Sequence, residues 1–207
     1  MRISEAYTTW AATYDEDRNR TRDLDERVTR EMLGGRQVRA IVEIGCGTGK
    51  NTAFLAEIGQ RVLALDFSEG MLARAREKVG AAHVTFRVAD LTQAWPCDDS
   101  SAALVVGNLV LEHIEDLGFI FSEAARVLEP GGELFVCELH PFRQYGGTQA
   151  NFQRGAETTA IQAFVHHLSD YTEAARAQGF RLSSLREWWH EEDAGKPPRV
   201  VSFVFER

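Results

Sequence analysis

An α/β fold is predicted for this sequence, a doubly wound and mostly parallel sheet closed by a C-terminal antiparallel hairpin, on three observations. Apolar, β-branched runs alternate with helix-forming segments along most of the chain, the pattern of a sheet covered by helices on both faces. One run, Ile41-Val-Glu-Ile, leads into glycines at 45, 47 and 49 and then into helix formers from Lys50 to Glu57. That order reads as a buried strand, a tight turn open to a ligand, and a helix N-terminus. Two late apolar runs, near 181–189 and 199–206, are joined by Asp193-Ala-Gly-Lys-Pro-Pro198, a turn-rich connector that favours antiparallel pairing.

Each element follows from its local pattern. Residues 4–33 are polar and helix-prone, and Tyr7, Trp10 and Tyr14 recur at helical spacing, so 1–33 reads as an N-terminal helical cap with one aromatic face. Strands are expected near 40–45, 61–66, 83–88, 102–108 and 133–139, with helices near 49–58, 69–79 and 116–128. Together with the late pair this makes seven strands. Residues 141–168 open on Pro141, lack apolar periodicity and are rich in Gly, Gln, Thr and aromatic side chains. Structureless connections beyond about 12–15 residues usually serve as lids or binding loops, so this stretch reads as a substrate lid. A helix near 169–178 precedes the final hairpin. No repeat, low-complexity tract or linker divides residues 1–207, which are read as one domain.

Composition bounds the function. With 207 residues, 44% of them hydrophobic, the chain can bury one substantial core. A formal charge of −8 offers no attractive field to a phosphate backbone, so nucleic acid is not an expected partner. Cys46, Cys97 and Cys137 lack C-x-x-C spacing and are odd in number, against a disulfide framework or a metal site and in keeping with free thiols in a reducing cytoplasm. No apolar run approaches the ~20 residues of a membrane span, and the N-terminus lacks a signal-peptide core, so a cytoplasmic protein without a membrane partner is expected.

The ligand site is expected at the carboxyl end of the sheet. A dinucleotide fingerprint, G-x-G-x-x-G counted from Gly45, requires glycine where Lys50 stands, which weighs against a pyrophosphate and a nicotinamide dehydrogenase. The pattern is instead E-x-G-x-G-x-G, and Glu43 suits an ammonium or sulfonium better than a diphosphate. Cys46 satisfies the turn's need for a small residue. Asp66 ends the second strand, where it can hold ribose hydroxyls or cap the next helix. Asp90 follows the third strand, with turn chemistry as its plainer alternative.

On these residues the chain resembles the class I S-adenosylmethionine-dependent methyltransferases, in particular small bacterial enzymes acting on small molecules. Further matches run in order: Arg61-Val-Leu-Ala-Leu-Asp66, Ser68-Glu-Gly-Met71, Ala89-Asp90-Leu91, Asn108-Leu-Val-Leu-Glu-His113 and Leu128-Glu-Pro-Gly-Gly-Glu-Leu134. The resemblance covers roughly residues 38–140. It implies a Rossmann-like sheet and S-adenosylmethionine as cofactor, bound by Tyr14, Glu43, Gly45, Cys46, Gly47, Gly49, Asp66, Phe67, Met71, Asp90, Leu91 and Asn108. It also implies that Trp10-Ala-Ala-Thr-Tyr14-Asp15 closes over the methionine end, with Tyr14 reaching the ligand carboxylate. Trp10, Arg143, Tyr145 and Asn151 are the candidate substrate contacts. His113 and His140, at the mouths of strands four and five, are the candidate bases, although a histidine there can equally serve as a strand-terminus residue. The implied reaction is methyl transfer to a small-molecule acceptor at oxygen, nitrogen or carbon, by a monomer or homodimer. A regulatory protein of the same fold that binds the cofactor without transferring its methyl group is the alternative.

Overall fold

The computed structural model describes residue 14 and residues 19–148, 151–154, 157–160 and 163–207. Helix α1 (Arg20–Leu33) is followed by strand β1 (Ile41–Ile44), helix α2 (Lys50–Ile58), strand β2 (Val62–Asp66), helix α3 (Glu69–Lys78) and strand β3 (Val84–Val88). Strand β4 (Ala102–Asn108), a one-turn helix at Leu111–His113, helix α4 (Leu117–Val127) and strand β5 (Leu128–Leu139) complete the central alternation. Helix α5 (Pro141–Tyr145), strands β6 (Asn151–Arg154) and β7 (Glu157–Ala160), helix α6 (Leu168–Ala177) and strands β8 (Arg181–Trp188) and β9 (Val200–Glu206) follow.

Seven strands form one sheet in the order β3-β2-β1-β4-β5-β9-β8, parallel from β3 to β5 and antiparallel through the β9–β8 hairpin. The Rossmann-like α/β architecture expected from the sequence is the one observed. β1 lies between β2 and β4, so the chain runs outward from β1 to β2 and β3 on one side and crosses back to β4 on the other, opening a crevice at the carboxyl ends of β1 and β4.

Local chemistry sets the helix starts. The Asn19 side chain accepts from the N–H groups of Thr21 and Arg22 at 3.0 and 3.1 Å, Ser68 accepts from Met71, and Asp116 accepts from Phe119. Each satisfies a donor that has no partner within its own helix. Alternation along β1 sends Val42 and Ile44 into one core layer and Ile41 into the other. The first layer is aromatic at its centre, with Phe121 meeting Phe205 and Phe180 edge-on at centroid distances of 5.3 and 6.1 Å. The second packs Leu24 and Val28 of α1 against Phe54 and Leu55 of α2 and Phe135 of β5.

Two expectations are corrected. Residues 141–168 are not structureless, because they contain α5 and the antiparallel β6–β7 ladder, which pairs Asn151 with Ala160 and Arg154 with Glu157. Their short polar strands leave too little apolar alternation to be read from sequence. The turn expected at 128–134 lies within β5 as an irregularity: Ala102 pairs with Leu128 and Leu104 with Glu133, with Gly131 at φ +79° between them. Of the N-terminal cap, α1 covers Arg20–Leu33, while Tyr7 and Trp10 lie outside the described residues. Among the described residues no helix is long and apolar enough to cross a membrane.

The hairpin is clamped to the segment after β5 through Asp193. Its carboxylate is fully buried and accepts from Arg199 Nε at 2.7 Å and Nη2 at 2.8 Å, with Arg143 Nη2 at 3.2 Å. The Arg199 hydrogen bonds hold this carboxyl well below the usual range. Replacing Asp193 by Asn leaves both guanidinium groups without their counter-charge. The expected outcome is a loss of about 3 kcal/mol in urea denaturation. Because the native carboxyl stays ionised throughout, the loss should be constant between about pH 5 and 8.

Candidate functional site

A cavity of about 600 Å³ opens at the carboxyl ends of β1, β2 and β4, within the range that holds a nucleoside-sized ligand. Its floor is the turn after β1. Gly45 and Gly47 adopt φ of +70° and +53°, the left-handed region that favours glycine. A Cβ on Gly45 would meet Val110 Cγ2 at 2.3 Å, whereas one on Gly47 would enter open space, with no atom within 4 Å. The turn therefore closes against β4 on one side and leaves room for a ligand on the other. Gly49, at φ +79°, does not line the cavity: it is the N-cap of α2, and a Cβ there would meet Ala75 of α3 at 3.1 Å.

Asp66 ties the turn to β2. One carboxylate oxygen accepts from Gly47 N–H and the other from Ser68 N–H, both at 2.9 Å. Ser68, rather than Asp66, is the N-cap of α3. Asp90 accepts from the N–H and hydroxyl of Thr92 at 2.9 and 2.7 Å, a side-chain turn that leaves the residue exposed to the cavity. Phe67, Met71, Leu91 and the half-exposed Val88 give this end an apolar wall fit for a planar base.

The opposite wall is acidic and buried. Glu43 points to the α1–α2 face of the sheet, where Thr52 Oγ1 donates to it at 2.5 Å. Burial pushes its carboxyl up to about 8, with Asp25 and Asp66 adding repulsion. Asp25 enters from α1, accepting from Asn108 Nδ2 at 2.5 Å and Asn51 Nδ2 at 2.8 Å. Burial raises it to about 6 despite those hydrogen bonds, and it raises Asp66 to about 6 as well. Arg22 also lines this side, its guanidinium 4.0 Å from the Tyr14 ring centroid and donating to the Tyr14 carbonyl at 2.5 Å. Buried carboxyls with a guanidinium nearby suit a ligand that carries both a cationic centre and a carboxylate. The Cys46 thiol is buried and pushed well up, so it is no nucleophile.

The remaining wall is the turn after β4. Leu109 has φ of +50°, an uncommon and strained conformation for leucine. Its neighbours are held by Glu138 of β5, whose Oε1 accepts from Val110 and Leu111 N–H groups at 3.0 Å each. Leu109, Val110, His113 and Ile114 face the cavity.

The structure brings together Tyr14, Glu43, Gly45, Cys46, Gly47, Asp66, Phe67, Met71, Asp90, Leu91, Asn108 and His113. It separates others. His140 does not line the cavity; it accepts from Phe142 N–H at 3.1 Å, capping α5, and contacts Glu187 at 2.9 Å. Arg143 donates to the carbonyls of Pro197 and Pro198 at 2.7 and 3.2 Å, so its guanidinium is committed to the hairpin connector. Tyr145 is exposed and its hydroxyl meets His167 Nδ1 at 2.5 Å. Asn151 pairs in β6; its side chain and all of Trp10 lie outside what is described. Asp25, Arg22 and Asn51 were not legible as site residues. The one signal for Asp25 was an acid on the buried stripe with Leu24, Val28 and Thr29, where an unserved carboxyl is unfavourable. Among the described residues no group of His, Cys, Asp and Glu is placed to hold a metal.

A family model described as a methyltransferase domain matches residues 42–136. An uncharacterised methyltransferase from Emericella nidulans is 30% identical over 221 aligned residues, covering 87% of this chain and 76% of that protein. A malonyl-[acyl-carrier protein] O-methyltransferase from Serratia marcescens is 31% identical over 137 residues, covering 66% of this chain and 52% of that protein, so the chain spans about half its length. Among solved structures, the N-methyltransferase NodS from Bradyrhizobium japonicum WM9, in complex with S-adenosyl-L-homocysteine, has a TM-score of 0.74 at 17% identity, covering 100% of this chain and 99% of that one. At that identity the likeness is one of fold.

The acidic wall makes stability depend on pH. A carboxyl raised by folding contributes stability below its unfolded pKa and loses it as pH rises through the folded value. For Glu43 that loss extends to about pH 8. Glu43→Gln keeps the shape of the neutral acid and removes the titration. In urea denaturation of the ligand-free protein between about pH 7 and 8, the variant should therefore lose less stability per pH unit, by up to about 1.4 kcal/mol. Equal slopes would mean that Glu43 is already ionised in the folded protein.

Proposed function

Because the chain belongs to the S-adenosylmethionine-dependent methyltransferases, we propose that its cavity delivers the methyl group to a small-molecule acceptor and that His113 takes the proton the acceptor loses. The observation that carries this reading is the division of one cavity into an apolar end at Val88 and Leu91, an acidic wall, and a turn bearing His113.

In this reading Asp66 would hold the ribose hydroxyls, Val88, Asp90 and Leu91 the base, and Arg22 with Tyr14 the carboxylate. Glu43 and Asp25 would face the cationic end, supported by Thr52, Asn51 and Asn108. When bound, the cofactor supplies a methyl group already activated on a sulfonium. What the chain contributes is alignment, and proximity of this kind is worth ~7–11 kcal/mol of a barrier. Leu109, Val110 and Ile114 line the cavity beside His113, so the ring would meet an acceptor hydroxyl or amine in an apolar setting that strengthens proton transfer. The insertion at 141–168 is the acceptor lid, because its 163–167 stretch hydrogen-bonds the turn that carries His113.

The test is label transfer from methyl-labelled S-adenosylmethionine to a panel of small alcohols, carboxylic acids and amines. With a responsive acceptor in hand, His113→Asn is expected to lower kcat by about two orders of magnitude while S-adenosylhomocysteine affinity stays within about threefold. Asp66→Ala should do the reverse, weakening that affinity at least about tenfold in calorimetry through loss of charge-assisted hydrogen bonds. Cofactor binding with no label transfer to any member of the panel would favour a regulatory protein.

A further inference from the structure

The insertion between β5 and α6 is stitched to the one-turn helix Leu111–His113 and the residue after it by the contacts that make it the acceptor lid, and one of its side chains reaches further, to the Glu112 carboxylate. Phe164 N–H donates to the Glu112 carbonyl at 2.7 Å, and the His166 ring contacts the Ile114 carbonyl at 2.8 Å. Gln144, on α5, reaches both the Glu112 carboxylate and the Phe164 carbonyl, each at 3.4 Å. Glu112 and His113 are adjacent, yet their side chains serve different sides: Glu112 is buried toward the insertion, while His113 lines the cavity. Glu112 Oε1 lies 3.9 Å from His113 Nε2, beyond a hydrogen bond and within ion-pair reach.

We propose that Glu112 is the positioning residue for His113, and that Gln144 of the insertion holds it in place, so that the acceptor side of the protein sets the proton affinity of the base. This rests on His113 being the base assigned above. A carboxyl at this depth is unfavourable unless it is served, and among the described residues its side-chain donor is one amide on the insertion. Its charge falls on the imidazolium that forms when His113 accepts the acceptor's proton, where attraction across a few ångströms of poorly solvated space is strong.

The surroundings make Glu112 responsive. Burial raises its carboxyl to about 7, with the Gln144 amide opposing the rise. Glu138 of β5 adds negative charge when ionised but is itself pushed well up by burial, its other oxygen unpartnered among the described residues. Tyr171 of α6 feels both Glu112 and Glu138, with Asp170 beside it on the same helix. The His166 ring lies edge-on to Tyr171 at 5.9 Å. A change in the hold of Gln144 therefore shifts charge at Glu112 near neutral pH, and His113 reads it.

Ring-nitrogen NMR of the S-adenosylhomocysteine complex tests this without an acceptor, following the titration of His113 identified by its loss in His113→Asn. Glu112→Gln should lower the His113 midpoint by about half a pH unit or more, because the neighbouring anion is gone. Gln144→Ala should move it in the same direction by less, since Glu112 then stays protonated to higher pH. It also carries the test should Glu112→Gln fail to fold. Thermal unfolding of each variant separates a local from a global effect. A His113 midpoint within about 0.2 units of wild type in a folded Glu112→Gln or Gln144→Ala protein overturns the coupling. Retained turnover in His113→Asn would instead overturn the assignment of the base while leaving a measured shift intact.

Discussion

The parallel pairing of β1 with β2 on one side and β4 on the other is the constraint from which the rest of the site follows. Residues Ile41 to Ile44 are hydrogen-bonded on both edges, and the glycines that follow turn the chain out of the sheet between the ends of β2 and β4. Residues 45 and 47 take the left-handed conformation that favours glycine, and at 45 only glycine fits against Val110. The turn then aims N–H groups at the end of β2, where Asp66 accepts one of them. Residues far apart in sequence, Asp66 and Asn108 among them, converge because their strands flank the same short one.

A second theme is the quantity of carboxyl groups buried at this junction. Asp25, Glu43 and Asp66 line one cavity, and burial raises each of them. A core selected for stability alone would avoid this arrangement, because repulsion and desolvation act in the same direction. Such departures are expected where a site must be complementary to a ligand, here one with a positive centre. Helix α1 takes part directly: Asp25 is joined to Asn51 of α2 and Asn108 of β4, so the N-terminal helix is part of the site as well as its cover.

The two ends of the cavity depend on different supports. The cofactor end is built on strand termini and the glycine turn, which the sheet holds rigidly. The acceptor end is built on the turn at 109–114, strained at Leu109 and held by Glu138 from below and by the insertion from outside. A fold of this class can keep the first end while the second varies with the acceptor, because loops tolerate change that paired strands do not.

What the sequence by itself determined is the part governed by short-range chemistry. Strand and helix periods, the three glycines after β1, the acid at the end of β2, and the Gly-Lys-Pro-Pro connector of the final hairpin each carry their meaning within a few residues; the turn, the strand end and the hairpin form where expected, although Gly49 caps α2 instead of lining the cavity. The insertion was less legible, since strands as short as Asn151–Arg154 present too few alternations to stand out from a loop. The division of labour among similar side chains was decided only by tertiary structure. His113 and His140 both stand just past strand ends, yet one faces the cavity and the other caps α5 against Glu187. Arg143 became structural because the hairpin connector folds back over it. Asp25 became a site residue because α1 packs across the mouth of β4. A side chain's role depends on which partners long-range packing places within hydrogen-bonding distance of it, and local sequence carries no information about them.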